Sequence, residues 1–331
     1  MKKYLLLLLT IMIFGRAEAL EINKELHEFA DNMESCYGVP RDKVLWWMYG
    51  ANISEIALNR TAAPTEAKPW GEYRKLFITD DRVRGGLDFY LANEGDLVRA
   101  EHQFGVSRYV IAAIIGVETN YGKYQLKLKA IDMLATLAFN SPNRRPFFTK
   151  ELKWLLIIAD RENVDPHNYM GSYAGAIGYP QFMPSNFDKF GVDFDGDGKT
   201  DLVRSMPDAI GSVAKYLSAH GYRLGEQTAV QSDVSGDAWQ QFDTRSMRPV
   251  KKLKELTANG ITPRTPANPE QKAILYTLDG TDGKEYWILY NNLYAISRYN
   301  PRINYAMAVF SLSEEIKTAV RGAFEEGVYA E

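Results

Sequence analysis

Residues 110–122 read Val110-Ile-Ala-Ala-Ile-Ile-Gly-Val-Glu118-Thr-Asn-Tyr-Gly122. The long apolar run predicts a buried helix at the centre of a helical fold, and this helix ends in a glutamate. The end of a helix carries partial negative charge and the apolar approach predicts desolvation, so both effects raise the pKa of the carboxyl group. Glu118 is therefore a candidate general acid for glycosidic cleavage. The alternative is a surface glutamate at a frayed helix end.

The composition is that of a globular protein. The chain has 331 residues, with 39 Lys and Arg against 42 Asp and Glu, and 46% of its residues are hydrophobic. This length is typical of about two domains. The composition excludes collagen, low-complexity disorder and a polytopic membrane protein. The net charge of −3 argues against a dedicated nucleic-acid-binding protein, which normally has a strongly basic face.

The N-terminus has the pattern of a secretory signal peptide. The basic Met1-Lys2-Lys3 precedes an apolar run over residues 4–14, and Ala17-Glu18-Ala19 is typical of a signal-peptidase site. The single cysteine, Cys36, lies far past the apolar run, so no lipid anchor is expected. A small buried side chain is its expected state. Residues 1–19 are thus predicted to be removed, and the mature protein is expected to have no transmembrane segment. The expected location is the periplasm of a Gram-negative bacterium.

Hydrophobic periodicity predicts a mainly helical fold with a small β insertion late in the chain (an α+β class). A hairpin is expected from residues 273–278 and 286–290, which flank the turn Asp279-Gly280-Thr281-Asp282-Gly283. Helices are predicted at residues 21–60, 87–104, 110–117, 130–139, 147–158, 208–220 and 305–324.

A glycine-rich loop, residues 171–184, reads Gly171-Ser-Tyr-Ala-Gly-Ala-Ile-Gly-Tyr-Pro-Gln-Phe-Met-Pro184. Its glycines allow the backbone to approach a ligand closely. Ser172 and Gln181 offer neutral hydrogen-bonding groups beside aromatic rings, which is typical of a sugar-binding site. No P-loop lysine is present, so phosphate binding is disfavoured. The alternative is a tight structural turn.

Several motifs together resemble the lytic transglycosylase B family, bacterial enzymes that cleave peptidoglycan. They include Gly116-Val-Glu-Thr-Asn-Tyr-Gly122, the glycine-rich loop and Asp208-Ala-Ile-Gly-Ser-Val-Ala214. The motifs occur in the order of the family and span nearly all of the mature chain. Further matches are Lys68-Pro-Trp-Gly-Glu-Tyr-Arg74, Ala135-Thr-Leu-Ala-Phe-Asn140, Arg144-Arg145 and Ser297-Arg-Tyr-Asn300.

The resemblance implies a role for each matching residue. The catalytic glutamate falls on Glu118, the saccharide-binding pair on Ser172 and Gln181, and the arginines that meet the acidic peptide on Arg144 and Arg145. Groove tyrosines fall on Tyr73, Tyr216, Tyr294 and Tyr299.

The implied fold is a lysozyme-like helical core with an additional helical domain and a small β domain. The expected division is a signal peptide at 1–19, an N-terminal helical domain at 20–105, and a catalytic core at 106–225 with an EF-hand-like loop at 193–208. The small β domain is expected at 226–300, followed by a C-terminal helix at 301–331 that packs back on the helical domains.

The implied reaction cleaves the β-1,4 bond between MurNAc and GlcNAc and forms 1,6-anhydroMurNAc ends. A hydrolase needs a second carboxylate about 5–9.5 Å from the acid, and none lies in the motifs around Glu118. A transglycosylase needs only one residue, acting first as acid and then as base. The alternatives are a lysozyme-type hydrolase and a non-catalytic wall-binding protein. The expected partners are glycan strands and not nucleic acid, with a monomeric protein and no organic cofactor.

The stretch from Asp193 to Asp201 has the alternation of an EF-hand calcium loop, with Gly198 at its sixth position. Its carboxylates would repel each other without a cation, so a structural Ca²⁺ site is the favoured prediction. The alternative is an acidic turn that is simply solvated. Arg204 stands where the usual glutamate would be, and the resemblance implies a longer loop that ends on a later carboxylate. The predicted ligands are Asp193, Asp195, Asp197, Asp201, Asp208 and the backbone carbonyl of Lys199.

Overall fold

The computed structural model describes residues 23–62, 68–141, 144–243 and 245–325. The predicted signal peptide lies outside these residues. The described helices are α1 (Lys24–Tyr37), α2 (Arg41–Tyr49), α3 (Glu55–Ala62), α4 (Trp70–Tyr73), α5 (Asp80–Ala92), α6 (Glu94–Phe104), α7 (Arg108–Thr119), α8 (Ala130–Asn140), α9 (Arg145–Arg161), α10 (Pro184–Phe190), α11 (Met206–Ala219), α12 (Leu253–Thr257), α13 (Asn291–Ser297) and α14 (Ile303–Glu325). The described strands are β1 (Leu128–Lys129), β2 (Met170–Gly171), β3 (Ala229–Val234), β4 (Lys251–Lys252), β5 (Ile261–Pro263), β6 (Lys272–Asp279) and β7 (Lys284–Leu289).

Helix α7 is the centre of the fold, as its apolar sequence predicts. Nine of its 12 residues are buried, and it packs against α5, α6, α11 and α14. Its first turn is fixed by the carboxylate of Glu101, which accepts hydrogen bonds from the backbone N–H of Arg108 (2.9 Å) and from the Arg108 guanidinium. A carboxylate at this end complements the partial positive charge of the helix N-terminus.

Two predicted helical regions are interrupted. The region 21–60 falls on α1, α2 and α3. Gly38 ends α1 with a left-handed backbone (φ 72°) and Pro40 follows, while α2 ends at Tyr49, before Gly50. The region 87–104 falls on α5 and α6, which meet at Asn93. The side-chain amide of Asn93 donates to the carbonyl of Phe89 at 2.8 Å and satisfies one of the carbonyls at the end of α5.

The small β part is a five-stranded antiparallel sheet in the order β4-β6-β7-β3-β5. The predicted hairpin is confirmed as β6 and β7, whose last pair is Asp279 with Lys284. One set of sheet residues packs with α12 in a separate hydrophobic cluster, and another set joins the main helical core. The mainly helical class with a β insertion is therefore confirmed, and the sheet is held directly against the helices.

The expectation for Cys36 is wrong. Its side chain is exposed rather than buried. The residue lies in the last turn of α1, where its sulfur contacts the polar side chains of Asn32 (3.2 Å) and Ser35 (3.8 Å). The buried face of α1 ends at Met33, one turn earlier.

Candidate active site

Glu118 lies in the last turn of α7, and its side chain is half-buried. The hydroxyl of Tyr305, on α14, donates a hydrogen bond to Glu118 Oε1 at 2.6 Å. Burial raises the pKa of Glu118 to about 7, and the hydrogen bond from Tyr305 opposes part of this rise. The carboxyl group can thus carry a proton near neutral pH, in agreement with the sequence prediction. The decisive cause is desolvation.

The chain turns sharply after Glu118. Asn120, Tyr121 and Gly122 have left-handed backbones in succession, with φ of 52°, 59° and 78°. Such conformations cost about 1–3 kcal/mol for a residue other than glycine and concentrate at functional sites. The Tyr121 ring packs so closely on Gly116 that a Cβ there would lie 2.5 Å from it. The turn therefore ends α7 abruptly at Thr119, so Glu118 lies one residue before the end of the helix.

Thr119 joins this helix end to the glycine-rich loop. Its hydroxyl oxygen lies 3.2 Å from the carbonyl of Ile115 in the helix and 3.2 Å from the carbonyl of Tyr179 in the loop. The hydroxyl also accepts the N–H of Gly122 at 3.2 Å. The loop is thereby fixed to the residue that directly follows Glu118.

The glycine-rich loop is closed by its own backbone pairs, including antiparallel bridges of Ile177 with Gly171 and with Phe182. The Ser172 hydroxyl accepts two backbone N–H groups of the loop, at 3.2 and 3.3 Å. The Gln181 amide donates to the Gly178 carbonyl at 2.9 Å. Both predicted sugar-binding side chains are thus held in place by the loop itself. The tight-turn reading and the binding reading are compatible.

Tyr299 connects the loop to the Glu118 pair. Its hydroxyl donates to the carbonyl of Pro180 at 2.6 Å, and its ring stacks on Tyr305 with centroids 6.3 Å apart. Tyr216 lies behind Tyr299, 4% exposed, with its hydroxyl donating to the Arg298 carbonyl. A continuous aromatic cluster therefore leads from the loop to Tyr305 and Glu118.

The other two predicted tyrosines lie on short helices around this cluster. Tyr73 is on α4, and its pKa is raised by burial and by the charge of Glu118, so the two side chains are electrostatically coupled. Tyr294 is on α13, with the Arg298 guanidinium 5.9 Å from its ring centroid. Arg298 links Tyr294 to the cluster, whereas Tyr73 is related to Glu118 through the charge that adds to the rise of its pKa.

The arginine pair is engaged with other partners. The Arg144 guanidinium lies 4.9 Å from the ring centroids of both Phe147 and Phe148. Arg145 forms an ion pair with Glu25 of α1. These contacts place the pair at the start of α9, beside α1 rather than in the tyrosine cluster.

The acidic loop has three converging carboxylates. One oxygen from each of Asp193, Asp195 and Asp197 lies within 4.8 Å of the other two. Asp208 is 1% exposed, and its carboxylate accepts three backbone N–H groups from the two ends of the loop, at 2.7 to 3.3 Å. Asp201 accepts two further N–H groups just before α11. The first three aspartates fit a hard cation. Asp201 and Asp208 accept backbone N–H groups of the loop, and their predicted role as ligands stays a prediction.

Sequence reasoning missed Tyr305. The sequence predicts it only as the start of the last helix, and its partner Glu118 is 187 residues earlier. A tyrosine on the apolar face of a buried helix is a weak signal of a functional site. Nearly every buried tyrosine hydroxyl has some hydrogen-bonding partner, so the sequence does not single out a catalytic one. Only the packing of α14 on α7 identifies that partner.

The family model described as the transglycosylase SLT domain matches residues 21–314. The chain belongs to this family. The membrane-bound lytic murein transglycosylase B of Escherichia coli (strain K12) is 39% identical over 308 residues, which cover 90% of this chain and 84% of that protein. The predicted family is therefore confirmed, and the protein is a lytic transglycosylase that acts on peptidoglycan.

Solved structures of related enzymes share the fold of this transglycosylase. Soluble lytic transglycosylase SltB1 from Pseudomonas aeruginosa matches with a TM-score of 0.86 at 40% identity, covering 90% of this chain and 100% of that one. The Escherichia coli lytic transglycosylase Slt35 in complex with calcium matches with a TM-score of 0.83 at 38% identity, covering 92% and 96%. The lysozyme-like class predicted for the transglycosylase is confirmed by these matches.

Proposed function

We propose that Glu118 is the general acid and then the general base of this lytic transglycosylase. The observation that carries the proposal is the half-buried carboxyl group whose pKa is raised to about 7 while Tyr305 holds one of its oxygens. The hydroxyl proton of Tyr305 points to Oε1, so Oε2 is the oxygen that can carry the acid proton. The substrate is the β-1,4 bond between MurNAc and GlcNAc.

In the first step, Glu118 donates its proton to the bridging oxygen as the bond from the MurNAc anomeric carbon breaks. GlcNAc leaves with a new hydroxyl group, and the N-acetyl group of MurNAc stabilises the positive charge. In the second step, the Glu118 carboxylate removes the proton from the MurNAc C6 hydroxyl, whose oxygen bonds to the anomeric carbon. The ring closes within one molecule, which is favoured over attack by water through its effective molarity.

The residues around Glu118 are proposed to bind the glycan. Within the described residues, the contacts of Ser172 and Gln181 leave a hydroxyl hydrogen and an amide oxygen for sugar hydroxyl or acetamido groups. Tyr73 and Tyr299 would offer ring faces beside Glu118. Tyr216, which is 4% exposed, and Tyr294 would support this aromatic wall from behind. Arg144 and Arg145 lie outside the tyrosine cluster at the start of α9, and they are proposed to pair with carboxylates of the peptide, for which Arg145 must exchange its partner Glu25.

Mass spectrometry of the muropeptides released from purified sacculi tests the reaction type. The transglycosylase is expected to release disaccharide peptides with 1,6-anhydroMurNAc ends, which are one water lighter than the reducing ends left by a lysozyme-type hydrolase. A hen-type lysozyme digest of the same sacculi is the control. Reducing ends as the main product would contradict intramolecular ring closure and favour the hydrolase.

The pH profile tests the role of Tyr305. The rate is expected to fall about tenfold per pH unit above about 7, because Glu118 then loses the proton that it must donate. The Tyr305 hydrogen bond lowers the pKa of Glu118, so Tyr305→Phe should move this alkaline limb to higher pH.

The matched control is Tyr90→Phe, because the Tyr90 hydroxyl also donates to a glutamate, Glu94, at 3.3 Å but away from the cluster. This variant should leave the limb in place. A Tyr305→Phe profile identical to that of the wild type would contradict the assignment of the limb to Glu118.

We further propose a structural Ca²⁺ in the acidic loop. Asp193, Asp195 and Asp197 would supply the converging carboxylates, and Lys199 its backbone carbonyl. Asp201 and Asp208 are the further predicted ligands, and their contact also ties the loop to α11. The relative Slt35 was solved in complex with calcium, which supports this cation. When bound, the ion would offset the repulsion among the carboxylates and stabilise the loop without taking part in the reaction.

Thermal unfolding tests the calcium proposal. A chelator is expected to lower the melting temperature, and added Ca²⁺ should restore it, because an ion that binds only the folded state stabilises it. Asp193→Asn should remove most of this response. Asp88→Asn, at an exposed position on α5, is the control and should keep it. A melting temperature that changes with neither the chelator nor added Ca²⁺ would contradict the proposed calcium site.

The predicted signal peptide and the related enzyme named as membrane-bound are the grounds for proposing a location at the periplasmic cell wall. No helix among the described residues combines the length and apolar character needed to cross a membrane. Domain boundaries near residues 105, 225 and 300, and a monomeric state, remain part of the same proposal.

A further inference from the structure

A carboxylate of the β sheet holds the short helix α4. Glu285 of β7 accepts hydrogen bonds on Oε2 from the indole N–H groups of Trp70 (3.2 Å) and Trp287 (3.1 Å). Its Oε1 lies 3.6 Å from the Arg74 guanidinium. The Glu285 side chain is 18% exposed and that of Arg74 is 46% exposed, so the bonds to the indoles are the better shielded of these charge-assisted contacts.

Two more contacts fix the segment of α4. A Cβ on Gly71 would lie 2.5 Å from the backbone nitrogen of Thr281, so α4 rests directly on the hairpin turn. The Asn304 amide donates to the Lys68 carbonyl at 2.8 Å, and Asn304 is the neighbour of Tyr305 in the chain. The segment is thus held between the β hairpin and the helix that carries the Glu118 partner.

Helix α4 has only four residues, Trp70–Tyr73, and a helix of this length has no stability of its own. The position of Tyr73 therefore depends on the contacts of Trp70 and Arg74, the residues on either side of it along the segment. The Tyr73 ring packs on Phe77 with centroids 5.2 Å apart. Burial raises the pKa of Tyr73, and the charge of Glu118 adds to this rise.

We propose that Glu285 is a positioning residue of the transglycosylase. By holding Trp70 and Arg74 it fixes α4, and thereby keeps Tyr73 on the wall of the groove that faces Glu118. The β sheet then has a defined task, which is to hold one side of an active site built by the helices. This inference rests on the proposed roles of Glu118 and Tyr73.

The test is a double-mutant cycle on Glu285 and Tyr73, measured as kcat and KM on soluble glycan strands. Glu285→Ala is expected to lower kcat/KM about tenfold, the size of coupling common between dependent residues. In a Tyr73→Ala background, the same change should have almost no further effect. Glu285→Gln keeps an oxygen for the two indoles, so it should stay within about threefold of the wild type.

Two measurements separate positioning from general destabilisation. Tryptophan emission should shift in Glu285→Ala, because the Trp70 and Trp287 indoles lose their acceptor. The control is Glu270→Ala, which breaks the ion pairs with Lys252 (2.7 Å) and Lys254 (2.6 Å) in the β part, away from α4. It should leave kcat/KM unchanged. The cluster lines an open cleft of about 920 Å³, so Glu285→Ala leaves no sealed void and folding should be retained.

Additive effects of Glu285→Ala and Tyr73→Ala would overturn the positioning role, as would a shifted tryptophan emission with normal kcat/KM. If the alanine variant does not fold, Arg74→Ala takes its place in the cycle, because it removes the Arg74 contact with Glu285 at a side chain that is 46% exposed. The loss of kcat/KM that it causes must also vanish in the Tyr73→Ala background. None of these outcomes tests the proposed role of Glu118, which is tested separately by substituting Glu118 itself.

Discussion

Glu118→Gln is expected to lower the rate of sacculus digestion by about 10²–10⁴-fold, the usual contribution of a general acid–base group. Glutamine preserves the size of the side chain and can still accept the hydrogen bond from Tyr305, which is 2.6 Å long in the wild type. It cannot donate and then recover a proton. Binding of glycan strands should therefore survive while turnover is lost, and the measurement is the initial rate of muropeptide release at equal protein concentration.

The same substitution has an expected effect on stability, with a definite sign. Burial raises the pKa of Glu118 from 4.5 to about 7 in the folded protein. A raised carboxyl pKa contributes stability that is fully present below about pH 4.5 and is lost as the pH rises through about 7. Glu118→Gln removes this loss, so above neutral pH the variant should melt at a higher temperature than the wild type.

Glu94→Gln is the matched control for Glu118→Gln. Glu94 also accepts a hydrogen bond from a tyrosine on a neighbouring turn, Tyr90, but it is exposed and outside the aromatic cluster. The variant should digest sacculi at the wild-type rate. A folded Glu118→Gln protein that matches the Glu94→Gln rate would remove the basis of the proposed mechanism.

Gly178→Ala has the largest expected effect on stability. Gly178 has a left-handed backbone (φ 67°), and a Cβ there would lie 2.0 Å from the carbonyl oxygen of Leu202. The strained backbone and the overpacking together are expected to lower the free energy of unfolding by about 2–5 kcal/mol. The Leu202 carbonyl also accepts the Tyr179 N–H at 2.8 Å, so the clash should move the loop at the point where Thr119 holds it.

Gly105→Ala separates the two causes. Gly105 has the same φ of 67°, but a Cβ there would meet no atom within 4 Å. Only the backbone strain applies, so the loss should be about 1–2 kcal/mol. Urea denaturation of the three proteins gives the comparison. Equal losses in the two variants would mean that the loop yields at Gly178 and does not need the close approach to Leu202.

The sequence predicts the parts of this molecule that are local in the chain. The apolar run of α7 identifies a central helix that ends in a desolvated glutamate. The turn at 279–283 identifies the hairpin, and the alternating aspartates identify the acidic loop. Each of these signals is contained in about 15 residues, where periodicity and turn chemistry decide the structure. The family resemblance adds the wider set of groove residues.

The contacts that complete the site are not local, and sequence reasoning did not find them. The Tyr305 hydroxyl reaches Glu118 across 187 residues, and the Trp70 indole reaches Glu285 across 215. Neither pair has a spacing that a helix or hairpin would impose. The interruption at Asn93 was missed for another reason, because a side chain that competes for a helix carbonyl resembles an ordinary polar residue within the periodic pattern.

The bond from Tyr305 to Oε1 has a consequence for the order of events in the reaction. In the proposed mechanism Tyr305 holds Oε1, so Oε2 would both donate the acid proton and later accept the proton of the C6 hydroxyl. The departing sugar and the C6 alcohol would then contact the same carboxyl oxygen, one after the other. The departing sugar would therefore have to leave Oε2 before the C6 oxygen can form the new bond.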